Sequence, residues 1–109
     1  MDARLYDDVL QFIECIMDTP EYLEYRTRKQ EIENHPELRE KAEELKEKNL
    51  ELRSRIEGNT NALSDALRFA DENEEILMEP VVSGYLASEA AFCRMMREIF
   101  NMLMERVDM

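Results

Sequence analysis

"EPVVSGYLASEAAFCRMMREIFNMLMERV", Glu79–Val107, is the stretch whose reading decides the fold. Steps of three and four through it meet Val82, Leu86, Glu89, Cys93, Met96, Phe100, Leu103 and Val107. All but Glu89 are apolar, the repeat of one face of an α-helix. A second stripe beside the first reads Tyr85, Ser88, Phe92, Met95, Ile99 and Met102. Together they span far more than the roughly 100° arc of a helix that rests on a single core. Arg94, Arg97, Glu98, Asn101 and Glu105 remain as the one clearly wet stripe.

The pattern predicts a long helix from Pro80 to about Arg106 that is covered on two sides. One cover is its own chain, the other a second copy or a relative. The interface side chains expected are Val82, Leu86, Glu89, Phe92, Cys93, Met95, Met96, Ile99, Phe100, Met102, Leu103 and Val107. Flexible thioethers at Met95, Met96, Met102 and Met104 suit either core filling or a surface that repacks against alternative partners. Gly84 costs about 1 kcal/mol against alanine in a helix interior, or permits close helix approach. A lone carboxylate such as Glu89 must be paired, protonated or in reach of water. Its helix offers no second carboxylate or histidine at ligand spacing, so an ion pair or hydrogen bond across helices is expected. Cys93, one turn later, and Cys15 are read as small buried hydrophobes.

Outward from this helix, the chain of 109 residues holds 2 glycines and 3 prolines, and one all-α domain follows from that scarcity of turn residues. Leu5, Val9, Phe12, Ile13 and Ile16 mark an amphipathic helix over residues 2–17. In "DTPEY", Thr19 is a cap and Pro20 a first helical residue, starting a helix to about Glu33. Pro36 starts the next, with Glu37 and Glu40 favoured by the helix dipole. Leu38, Ala42, Leu45, Asn49, Leu52 and Ile56 then form a narrow coiled-coil seam, flanked by the i,i+4 pairs Glu37–Lys41, Glu44–Lys48 and Glu51–Arg55. Asn49 either fixes register on that seam or faces water. "EGNTN", Glu57–Asn61, is a turn, and a helix from about Thr60 to Met78 uses Leu63, Ala66, Leu67, Ala70 and Leu77.

A formal charge of −12, from 26 acids and 14 bases, repels a phosphate backbone and argues against direct nucleic-acid binding. No window of about 18 uncharged apolar residues is available to span a membrane. The start "MDARLYDD" lacks a secretory pattern, and two distant cysteines fit free thiols in a reducing cytoplasm. Phosphate loops, HExxH, GxSxG and CxxC are missing, so neither an enzyme nor a bound cofactor is expected. "EIENHPE" could present Glu31, Glu33, His35 and Glu37 to a metal, but acids are expected at a helix junction in any case, and no metal is assigned.

The order and spacing of "TPEYLEYR" (Thr19–Arg26), "HPELREKAEEL" (His35–Leu45) and "EPVVSGYLASEAAFCRMMREI" (Glu79–Ile99) resemble the YlbF/YmcA family, with its YheA-like members. In the last block Leu86, Glu89, Ala90, Met95, Met96 and Ile99 stand where that family shows its "yl.aE..l..ll..i" pattern. The resemblance implies an all-α protein of four to five helices, an extended hairpin or bundle that dimerises through long helices. It also implies a non-enzymatic cytoplasmic regulator of competence, sporulation and biofilm formation. Such proteins assemble with other regulatory proteins, as homodimers or with a paralogue, and influence ribonuclease Y-dependent messenger RNA processing. Some relatives bind iron–sulfur clusters through cysteines, including ones near the C-terminus; with Cys15 and Cys93 as its two cysteines, this chain is not expected to hold a cluster except by sharing across subunits. Two other readings are an iron–sulfur or metal sensor using Cys15, Cys93 and His35, and a chaperone-like coiled-coil hairpin on residues 36–77.

Overall fold

Helix starts follow capping chemistry read directly from the chain. In a computed structural model that describes residues 1–56 and 62–108, the elements are α1 (Ala3–Met17), α2 (Pro20–Glu33), α3 (Pro36–Ile56), α4 (Ala62–Glu72), α5 (Glu74–Leu77) and α6 (Pro80–Val107). The turn expected at Glu57–Asn61 and the side chains of Arg55, Ile56 and Leu63 lie outside the described residues. Thr19 accepts from the Tyr22 N–H at 3.2 Å and donates to the Ile16 carbonyl at 2.6 Å, so one hydroxyl ends α1 and begins α2. Pro20, Pro36 and Pro80 each open a helix, where a missing N–H is harmless. Asp2 caps α1 through bonds from Arg4 N at 2.7 Å and Leu5 N at 3.4 Å.

The helix expected from Thr60 to Met78 is instead two, α4 and the single-turn α5. Asn73 sits at the break with φ −115°, and its side-chain amide donates to the Phe69 carbonyl at 2.9 Å. A short amide of this kind competes with the backbone ladder and bends the helix.

Helix α6 is the axis of the fold. Helix α2 runs antiparallel along it: Tyr22 and Tyr25 meet Phe92, while Arg28, two turns on, lies over Gly84. Helix α3 runs parallel to α6 on another side, since Tyr85 meets Glu43 and Glu89 meets Lys46. Where the three helices meet, Ile32, Ala42, Leu45, Val82 and Tyr85 form the core. The proposed seam is therefore spent on α6 in its first half, through Ala42 and Leu45. Neither Glu37–Lys41 nor Glu44–Lys48 closes to ion-pair distance among the described residues. Exposed pairs gain only a few tenths of a kcal/mol, too little to hold two long side chains.

The fold is open. Its radius of gyration is 17.7 Å, against about 13 Å for a compact chain of this length. Its accessible surface of 8724 Å² exceeds by about 2,400 Å² what a compact monomer of this mass exposes.

Candidate functional site: a polar clasp, a groove and two bare apolar faces

Glu89 is paired, as a carboxylate on an apolar stripe must be. Lys46 Nζ lies 3.1 Å from Glu89 Oε2, 3.0 Å from Tyr85 Oη and 3.0 Å from Glu43 Oε2. An ammonium has three N–H donors, and three acceptors surround this one. Tyr85 in turn donates to Glu43 Oε1 at 3.2 Å. Burial works against the Lys46 charge, but its bonds to Tyr85, Glu43 and Glu89 outweigh that and hold the ammonium above its ordinary value. Burial, reinforced by the charges of Glu89 and Glu43, pushes the Tyr85 phenol up to about 12 against the pull of Lys46. Lys46 and Glu43 of α3 thus meet Tyr85 and Glu89 of α6, and the cluster is a clasp between the two helices.

Beside the clasp α3 and α6 leave a groove of about 580 Å³, lined also by Phe69 of α4 and Leu77 of α5. Leu45, Leu50, Leu86 and Ala90 give it an apolar floor, and Arg53, Arg94 and Arg97 line it with positive charge. Arg94 and Arg97 have no carboxylate at ion-pair distance among the described residues. Past this groove α6 is bare: Phe100 is 57% exposed, Leu103 48% and Val107 64%. Helix α1 is barer still and buries no residue, with Leu5, Val9, Phe12 and Ile13 all exposed.

The residues expected at an interface thus divide along α6. Val82 is fully buried in the chain's own core, and Glu89 is engaged by Lys46. Phe92 stacks on Tyr25 with ring centroids 5.3 Å apart, inside the same chain. Leu86 and Cys93 line the groove. Met95 and Ile99 are half-buried, whereas Met96, Phe100, Met102, Leu103 and Val107 are exposed. The expectation that Cys15 and Cys93 are buried is corrected, since both are exposed free thiols. Cys15 lies on the uncovered α1 and Cys93 faces the open groove, so a single chain supplies no atoms to cover either. Among the described residues, no three of His, Cys, Asp and Glu gather where they could hold a metal ion, and no helix is long and apolar enough to cross a membrane.

Sequence reasoning missed Lys46, Glu43 and the Tyr85 hydroxyl. Lys46 follows Leu45 of the seam, and that adjacency was the available signal. It also passed over the isolation of α1, although Tyr6, Leu10 and Met17 widen its apolar stripe beyond what one contact needs.

Residues 5–108 match the family described as "Control of competence regulator ComK, YlbF/YmcA". A "UPF0342 protein" from Caldicellulosiruptor saccharolyticus is 24% identical over 107 residues, which cover 97% of this chain and 89% of that one. No solved structure matches significantly. The family match runs from the first turns of α1 to the cap of α6 and takes in every helix described above: the chain belongs to the YlbF/YmcA family.

Proposed function

We propose that this protein is a non-enzymatic cytoplasmic regulator that works as a homodimer and docks on other regulatory proteins, modulating ribonuclease Y-dependent processing of messenger RNA. The regulatory part follows the family's description as a control of the competence regulator ComK. What carries the self-association part is the surplus surface. An excess of about 2,400 Å² per chain, about 4,800 Å² for two copies, falls in the range that an obligate homodimer interface buries in total. That surplus includes large apolar side chains on α1 and on the distal half of α6, where Phe100 and Leu103 follow the same stripe that supplies the core. Apolar faces of that extent mark contact sites in soluble proteins.

Light scattering tests the reading. Micromolar protein is expected at twice its 13.0 kDa mass, and Phe100→Glu, which puts a charge into the bare stripe, is expected at the monomer mass with its helicity retained. A wild-type protein that stays at 13.0 kDa sinks the proposal. Binding of the purified dimer to purified ribonuclease Y tests the partner.

A further inference from the structure

The groove and helix α1 are complementary in charge, and each lacks what the other carries. In a chain with 26 acids and 14 bases, the groove reverses the balance. Among the described residues it is lined by Lys46, Arg53, Arg94 and Arg97 against the single acid Glu89, which Lys46 already neutralises. Arg53 stands on the α3 wall and Arg94 and Arg97 on the α6 wall, so cations flank the apolar floor on both sides. A helix that fits between such walls needs an apolar stripe bordered on both edges by acids.

Helix α1 has that form. At about 100° per residue, Leu5, Val9, Phe12, Ile13 and Ile16 make one stripe. Asp8 falls on one border, while Glu14 and Asp7 fall beyond the other, past Leu10. Its only base is Arg4. A helix of 15 residues that buries none of them is marginal in water by itself, so its apolar face requires a covering surface. Its own groove does not serve as that surface here, since α1 buries no residue and Leu5, Val9, Phe12 and Ile13 stay exposed.

We propose that the groove between α3 and α6 is the seat of helix α1 from a second copy of this chain. The exchange is reciprocal: each copy lays its α1 in the other's groove, as a two-fold axis requires. The apolar stripe sits on Leu50, Leu86 and Phe69, and the bordering acids meet the arginines of the two walls. Phe100 lies less than one turn beyond Arg97, so the same approach of the second copy covers the bare end of α6. This inference rests on the self-association proposed above and specifies its geometry.

Charge reversal by mixing tests it. The variant R94E/R97E makes the groove acidic, and the variant D8K/E14K makes α1 basic; all four positions are exposed and outside the core. Each variant alone is expected to raise the dimer dissociation constant by at least about tenfold, since like charges then face each other in both seats. Mixed one to one, they are expected to form a heterodimer close to wild-type affinity, because in that pair every α1 meets a groove of opposite sign. Retention of wild-type dimer affinity by R94E/R97E overturns the seat while leaving the dimer itself in place. Dissociation of both variants without recovery on mixing overturns it too. A wild-type protein that never dimerises fails the earlier proposal instead, and is recognised before either variant is made.

Discussion

Replacing Lys46 with methionine keeps the aliphatic stem and removes the ammonium shared by Glu89, Tyr85 and Glu43. The side chains of Lys46 and Glu89 are 27% and 24% exposed, so their pair is partly withdrawn from water. Hydrogen bonds to charged groups contribute about 1.5–3 kcal/mol, and an orphaned, half-buried carboxylate adds its desolvation cost. Lys46→Met is therefore expected to destabilise by about 2–3 kcal/mol. Glu43 differs, being 48% exposed and on the same helix as Lys46 at i,i+3, which limits it to the few tenths of a kcal/mol of a surface pair. A double-mutant cycle of Lys46→Met with Glu89→Gln should thus give a coupling of about 1–2 kcal/mol, against about 0.5 kcal/mol for the cycle with Glu43→Gln. The assay is urea unfolding followed by helical circular dichroism at one fixed protein concentration, because self-association adds to apparent stability. A Lys46–Glu89 coupling no larger than the Lys46–Glu43 coupling would refute the claim that the clasp joins α3 to α6.

Two further outcomes follow from the same structure. A Cβ at Gly84 would stand 3.2 Å from Arg28 Nη1 and 3.3 Å from its Cδ, but that side chain is 39% exposed and can yield. Gly84→Ala is expected to stabilise by about 0.5 kcal/mol through helix propensity, and a loss above 1 kcal/mol by urea titration would show instead that the approach of α2 to α6 demands glycine. In alkali, the folded chain holds the Lys46 and Tyr85 protons more tightly than the unfolded chain does. The stability they contribute is complete below about pH 10 and declines as pH rises toward 12. Thermal melts across pH 9–12 should show that decline, and Tyr85→Phe should flatten it; an identical slope in the variant counts against the clasp.

Much of this fold is local and was legible as such. Pro20, Pro36 and Pro80 placed three helix starts to the residue, and Thr19 capped where its position predicts, because capping depends on atoms within four residues. Asn73 was not legible as a break: an asparagine inside a helical pattern is ordinary until its amide turns onto the Phe69 carbonyl. That Glu89 needs a partner, a proton or water was readable from its stripe alone, since burying a bare carboxylate is costly.

The partner's identity was not readable. Lys46 is one of many charged residues on α3, and only the parallel course of α3 along α6 selects it over its neighbours. The same holds for the two stripes of α6. Periodicity established by itself that this helix has more apolar face than one contact can use. Tertiary structure decided how that face is divided: Val82, Tyr85 and Phe92 are spent inside the chain, and Phe100, Leu103 and Val107 are left bare. The reason is geometric. Helix α2 begins its antiparallel run beside Phe92 and heads toward the start of α6, so among the described residues none covers Phe100, Leu103 and Val107.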